Sequence, residues 1–149
     1  MKLEEEIKQT KFRNEFHKLA VNIIYSNSWV TKKHIIIMKD FNITPAQFNI
    51  LRILRGQYPN PATVNLLKER MLDKMSDASR LVDRLVEKKL AERNVCPNDR
   101  RKVDVLITEK GLELLREIDS LNDALDAIFS NLSEDEAKTL NELLDKMRG

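Results

Sequence analysis

Ser76-Asp77-Ala78-Ser79-Arg80-Leu81-Val82-Asp83-Arg84-Leu85-Val86-Glu87-Lys88-Lys89-Leu90 runs into Ala91 to Cys96, then Pro97-Asn98-Asp99-Arg100-Arg101-Lys102, then Val103 to Ile107. Ala78, Leu81, Val82, Leu85 and Val86 recur at steps of three and four, so this segment is expected to be a helix with one apolar stripe. Ser76 is expected to cap it, its hydroxyl accepting from an unpaired amide of the first turn. The opposite face carries Ser79, Arg80, Asp83, Arg84 and Glu87, with Lys88 near the end. Further on, Val103, Val105 and Ile107 alternate with Asp104 and Leu106, the period of a strand with one face covered. The polar, Arg-rich turn before it makes the pair a hairpin.

Working outward, Thr44-Pro45-Ala46-Gln47 is a helix start. Thr44 caps, Pro45 suits the first helical position and Gln47 completes a capping box. Phe48, Leu51, Ile53 and Leu54 supply the buried face, and Gly56 suits a left-handed residue after the helix end. Residues 57–62, with two prolines, form a loop; Thr63 caps a short helix over 64–71. The sequence thus predicts three core helices at 45–55, 64–71 and 76–89, closed by a two-stranded hairpin. A basic helix followed by a hairpin with an Arg-rich tip is the layout of a winged helix-turn-helix. In that layout the helix is expected to enter a DNA major groove and the tip to reach the flanking minor groove.

On either side lie long helical patterns. Leu3, Ile7, Phe12, Phe16, Leu19, Ala20, Ile23 and Ile24 predict a helix over 3–27 ending at Asn27-Ser28. Residues 29–39 predict a second, although the β-branched residues there leave a strand open. After Thr108, a further cap, Leu114, Ile118, Leu121, Leu125, Ile128 and Leu132 follow a heptad spacing that predicts a long helix packed along another. Ser133-Glu134-Asp135-Glu136 is a capping box for a last helix bearing Ala137, Leu140, Leu143, Leu144 and Met147. The expected fold class is mainly α: one domain over 1–149, with a winged helix-turn-helix core at 44–107 between terminal helices at 1–40 and 108–149. Their apolar stripes exceed what that core can cover. They either intertwine with a second copy as a homodimer or fold back on one another in a monomer.

Charge is unevenly placed. Residues 44–107 hold 13 Lys or Arg against 8 Asp or Glu, whereas 108–149 hold 5 against 11. A basic centre on an acidic scaffold suits a duplex-DNA partner. One cysteine excludes an internal disulfide framework and fits a reducing compartment. No apolar run is long enough for a membrane span, and the start, Met1-Lys2-Leu3-Glu4-Glu5-Glu6, is too acidic for a signal peptide. A cytoplasmic protein is expected. His17 and His34 have no neighbours at metal-ligand spacing. No Gly-rich phosphate loop or nucleophile–base grouping is present, so no catalysis, metal or cofactor is expected.

Arg80-Leu81-Val82-Asp83-Arg84-Leu85, Lys88-Lys89-Leu90, Glu92-Arg93, Asp99-Arg100-Arg101 and Leu106-Ile107-Thr108-Glu109-Lys110-Gly111 together resemble the multiple-antibiotic-resistance-regulator (MarR) family of bacterial transcription factors. The resemblance is dense from Thr44 to Gly111 and extends by helix layout to the rest. It implies a dimer that reads a pseudo-palindromic operator, its two recognition helices about 34 Å apart. Most members are repressors, many released from DNA by small aromatic or acidic ligands held between the core and the dimer helices.

Arg80 and Arg84 lie one helical turn apart, where guanidinium groups fork onto phosphate or read guanine. The alternative is a solvated face, with Arg80 paired to Asp83 or Glu87 and Arg84 to Asp99. Ser76 and Ser79 are candidates for phosphate or base-edge contacts. The resemblance assigns insertion into the minor groove to Arg101, with Asp99 orienting its guanidinium, and Arg100 and Lys102 beside it. Lys74, Lys88, Lys89 and Lys102 are candidates for phosphate contacts only. Asp77 departs from the family, which favours a neutral residue there. Its carboxylate repels phosphate unless it serves the helix dipole. With the modest net charge of +2, this leaves open a winged-helix module that binds protein and little DNA. Tyr25, Trp29, His34 and Phe48 are candidate ligand-lining residues, not separable in the sequence from plain core. Cys96, at the wing base, does not match the N-terminal oxidant-sensing cysteine of some members and reads as a passive thiol.

Overall fold

The computed structural model describes residues 1–149. Its elements are α1 (Leu3–Glu6), α2 (Glu15–Ile37), a 3-10 turn at Lys39–Phe41, α3 (Pro45–Gln57), β1 (Ala62–Thr63), α4 (Val64–Arg70) and α5 (Ala78–Glu87). They continue with β2 (Ala91–Cys96), β3 (Asp99–Ile107), α6 (Glu109–Asp119), α7 (Asn122–Asp126), a 3-10 turn at Ala127–Phe129 and α8 (Glu134–Arg148). The chain is mainly α, with a winged helix-turn-helix core. No helix is long and apolar enough to cross a membrane.

The core is a single cluster built from α3, α4, α5, the sheet and α6. Ile50, Leu51, Leu54, Leu67, Ala78, Val82, Leu85, Val105 and Leu115 are its fully enclosed members. Ala78, Val82 and Leu85 are spaced i, i+4, i+7, so α5 buries the stripe expected of it and turns its polar face outward. Thr44 and Gln47 form the expected capping box of α3, and Thr63 and Thr108 cap α4 and α6. Gln47 is the one buried polar residue of the core. Its carbonyl oxygen accepts from the Thr44 amide at 3.2 Å and from the Lys88 ammonium at 3.2 Å.

The hairpin is not a free two-stranded ribbon. β3 lies between β2 and β1, both antiparallel to it, with Ala62 opposite Val105 and Ala91 opposite Ile107. Two residues are too short a run to be legible as a strand, but they pair the inner edge of β3 and fasten the wing to the start of α4. An irregularity between Val95 and Cys96 marks where the tip begins.

Four boundaries differ from expectation. Ser76 does not cap α5. Asp77 does, accepting from the Arg80 amide at 3.2 Å, and the helix starts at Ala78. Gly56 is helical, not left-handed: α3 continues to Gln57 and stops because Pro59 forces Tyr58 into an extended conformation (φ −54°, ψ 135°). The N-terminal helix is broken near residue 7 and restarts at the Asn14 cap, which accepts from the His17 amide at 2.9 Å. It then runs unbroken through Asn27, Ser28 and the β-branched residues 35–37. With no Gly or Pro there, nothing stops the ladder, and no strand stands near enough to compete. The single long helix expected after the wing is instead broken at Ser120–Leu121 into α6, α7 and a 3-10 turn, and the Ser120 hydroxyl donates back to the Glu117 carbonyl at 2.6 Å.

The terminal helices leave apolar side chains outside. Neither α2, at 23 residues, nor α8, at 15, buries a single residue in the chain. Phe16 is 81% and Ile24 71% exposed, and Ile35, Ile36, Leu140, Leu143 and Met147 are exposed with them. The Arg55 guanidinium holds the Asp119 carboxylate through two bonds, 2.7 and 3.2 Å, joining α3 to α6. Glu4 pairs with Lys18, which folds α1 back on α2.

Candidate nucleic-acid interface

α5 ends in a Schellman turn: the Lys89 amide bonds to the Val86 carbonyl and the Leu90 amide to that of Leu85, each at 2.9 Å. Lys89 holds the left-handed conformation there (φ 60°) that glycine takes without strain. The turn sends the chain straight into β2, so the helix and wing share a short junction. Arg93 on β2 tightens it, its guanidinium lying 2.5 Å from the Asp83 carboxylate on the outer face of α5. Sequence reading assigned Arg93 no role. Its signal was the Asp83-to-Arg93 pairing across the junction, which becomes visible only once the hairpin register is fixed.

These bonds settle which charges are spoken for. Asp83 is neutralised by Arg93, and Glu87 by Arg84 at 3.0 Å, so Arg84 does not reach Asp99. Arg80 has neither of the carboxylates open to it in the sequence and stands without an ion pair, as do Arg100, Arg101 and Lys102. All four are exposed. Ser79 is half-buried on α5. Ser76 is turned away from the helix amides and donates to Asp73 at 2.5 Å. Asp99 accepts from the backbone amide of Arg101 at 2.9 Å, so it shapes the tip rather than gripping the guanidinium. The Asp77 carboxylate, puzzling in sequence, sits at the positive end of the helix dipole and is occupied by the cap.

Two of the lysines that are candidates for phosphate contacts bond within the chain. The Lys88 ammonium donates to the Asn42 carbonyl and to Gln47, tying the end of α5 to the linker below α2. The Lys74 ammonium donates to the carbonyls of Lys68 and Glu69 at the end of α4, 3.3 and 2.5 Å away. Cations stabilise helix C-termini, where carbonyls lack partners, so neither ammonium is free. Asp73, also unremarked in the sequence, organises the turn before α5. Hydrogen bonds from Ser76 first, then from the Met75 amide, hold its carboxyl below the usual range.

Of the four candidate ligand-lining residues, Tyr25 and Trp29 share a cavity of about 280 Å³ with Leu3, Glu6, Asn22 and Asn131. His34 and Phe48 do not line it. Phe48 packs on the core instead, with the Arg52 guanidinium 5.7 Å from its ring centre. The Tyr25 hydroxyl donates to Glu6 at 2.5 Å, and that bond raises the phenol's pKa. Cys96 is a half-exposed free thiol at the wing irregularity. No group of three or more His, Cys, Asp or Glu side chains could hold a metal ion.

A family model described as the MarR family matches residues 41–102, from the start of the core to the wing tip. The HTH-type transcriptional regulator MgrA of Staphylococcus aureus is 34% identical over 130 residues, 85% of this chain and 79% of MgrA. A mutant MarR of Escherichia coli solved in complex with operator DNA is 29% identical. It superposes with a TM-score of 0.81 over 93% of this chain and 99% of that one. BpsR of Bordetella bronchiseptica, whose DNA binding is regulated by 6-hydroxynicotinic acid, is 25% identical with a TM-score of 0.73, over 85% and 89% of the two chains. Proteins of this kind bind DNA and regulate transcription and are not enzymes. At 34% identity over most of both chains, with the fold shared end to end, this chain belongs to the MarR family of DNA-binding transcription regulators.

Proposed function

We infer that the chain acts as a homodimeric repressor of a pseudo-palindromic operator. α5 enters the major groove through Ser79, Arg80 and Arg84, and the wing sets Arg101 into the flanking minor groove, with Asp99, Arg100 and Lys102 shaping and charging the tip. Ser76 contributes through the turn it helps build. One observation carries this reading. Arg80, Arg100, Arg101 and Lys102, with Lys89 in the turn between, are exposed cations left without ion pairs on a helix and wing fastened together by Arg93. Unpaired exposed guanidinium groups at a hairpin tip suit the narrow, strongly negative minor groove of A·T tracts. The exposed apolar faces of α2 and α8 support a second copy, which would bring two recognition helices to about 34 Å, one turn of DNA. Against the protein-binding alternative, the Asp77 carboxylate serves as a helix cap, which leaves the modest net charge as that alternative's support.

The cavity beside Tyr25 and Trp29 is the candidate ligand site. Its two aromatic walls suit a flat ring, as in the hydroxynicotinic acid that acts on BpsR, and the Glu6 carboxylate favours a ligand that donates a hydrogen bond. Such a ligand regulates only if it binds better to a dimer whose recognition helices are wrongly spaced.

Fluorescence anisotropy with the intergenic DNA upstream of the protein's own gene tests the reading. Wild-type protein binds at nanomolar concentration. For six phosphate contacts its affinity falls roughly 10³-fold between 50 and 200 mM salt, and Arg101→Ala abolishes the tight binding. Weak affinity, equal on random DNA and unchanged in Arg101→Ala, overturns it.

A further inference from the structure

The turn between α4 and α5 holds two apolar side chains in open solvent: Leu72 is 83% and Met75 94% exposed. Among the large apolar residues only Met1, the first residue of the chain, is more exposed than Met75. This turn is fastened nearly residue by residue. The Leu72 amide donates to the Asn49 side chain at 2.9 Å. Asp73 accepts from the Met75 amide at 3.0 Å and the Ser76 hydroxyl at 2.5 Å. Lys74 is tied to the end of α4, and Asp77 caps α5. A turn this thoroughly bonded presents Met75 outward in a fixed place, with little ordering left to do when it meets a surface.

That place is two residues ahead of the α5 cap, at the end of the recognition helix that leads into a groove. The apolar faces assigned above to a second copy lie on α2 and α8, so that copy does not cover this pair. Among base edges in the major groove, the thymine 5-methyl is the apolar feature, and apolar side chains recognise it by contact. A thioether chain, unbranched and with three rotatable bonds, adapts to such a target.

We propose that Met75 packs against a thymine 5-methyl group in each operator half-site and makes the protein select a T·A pair beside the N-terminus of α5. Leu72 borders this contact and helps exclude water from it. The proposal deepens the operator-binding reading and rests on it, but the two fail separately.

The test uses the full-length protein and the upstream fragment it binds. Each thymidine of one half-site is replaced in turn by deoxyuridine, which removes only the methyl group. Wild-type affinity falls about three- to fivefold at one thymine, the effect of losing one buried methyl contact. Met75→Ala binds the thymine and uracil duplexes equally, and Met75→Leu restores the discrimination. Because Met75 is almost fully exposed, the alanine variant melts with the wild type. If no thymine responds, or if Met75→Ala discriminates as wild type does, the proposal is overturned. The wing reading survives that result as long as Arg101→Ala still loses the unmodified fragment. A methyl-blind wild type whose Met75→Ala variant loses a captured protein partner would give this surface to protein instead, and would equally overturn it.

Discussion

Replacing Gly111 by alanine is expected to weaken the fold at the joint between wing and C-terminal helices. Gly111 is in the first turn of α6, its amide donating to the Thr108 cap at 3.1 Å. A Cβ placed there meets the Leu90 carbonyl oxygen at 2.4 Å and the Ile107 side chain at 2.7 Å. Carbon–oxygen contacts close at about 3.3 Å, so roughly 0.9 Å must open against backbone. That carbonyl also accepts from the Thr108 amide at 3.1 Å, and the Thr108 hydroxyl donates to Lys89 at 2.8 Å, so the shift strains the knot that closes α5, β3 and α6. Overpacking of this kind costs about 1–3 kcal/mol and a weakened hydrogen bond about 1 kcal/mol. Alanine's better helix propensity returns up to about 1 kcal/mol. The net is about 1–3 kcal/mol of destabilisation, or roughly 3–10 °C in Tm for a chain of this size. Gly56→Ala is the internal control. Nothing lies within 4 Å of a Cβ there, so the same change in α3 raises stability by up to about 1 kcal/mol. Urea unfolding followed by circular dichroism reads both at one fixed protein concentration, since association shifts the midpoint. A Gly111→Ala protein as stable as wild type would refute the reasoning.

Further outcomes follow from other parts of the structure. Ile24→Glu places a charge on the exposed apolar face of α2 and is expected to give a folded monomer by sedimentation at micromolar concentration; an unchanged dimer would remove α2 from the interface. Lys89→Gly relieves a left-handed lysine and is expected to stabilise by about 1 kcal/mol, seen as a higher urea midpoint with unchanged slope. The Tyr25 phenol, bonded to Glu6, titrates above its ordinary value near 10. Its folded pKa is raised, so the stabilisation is full below the unfolded value and is lost as pH rises through the folded one. Ultraviolet titration in a Tyr58→Phe background isolates it, and Glu6→Ala lowers its midpoint towards the ordinary value, leaving the part of the rise that desolvation causes.

The core was legible because its signals are local. The caps at Thr44, Thr63 and Thr108 and the stripe from Ala78 to Val86 each need only a few residues of context. What escaped depends on contacts between distant segments. β1 is two residues whose partner lies more than forty positions away. Lys74 and Lys88 look like surface cations until the helix ends they serve are in place. Ser76 and Asp77 are both good caps by type, but α5 starts at Ala78, which puts Asp77 at the cap position and leaves Ser76 in the turn, bonded to Asp73. His34 and Phe48 carry the right chemistry for a ligand wall and lie elsewhere, since an aromatic residue's type does not tell which surface it faces.

β3 is mechanically a beam clamped at one end. Asp104 and Val105 are flanked by β1 on one side and β2 on the other, whereas Arg100, Arg101 and Lys102 lie in the irregularity between the Val95–Val103 and Cys96–Asp99 pairs, with no partner residue in either strand. At about 3.3 Å per residue, Arg101 stands at most roughly 13 Å beyond Val105. A tilt of about 5° at the clamp therefore carries that guanidinium through about 1 Å. The pairing of Val105 with Ala62 is thus the fulcrum of a lever with Arg101 at its far end, and small changes in how β1 seats there translate into the reach of the tip.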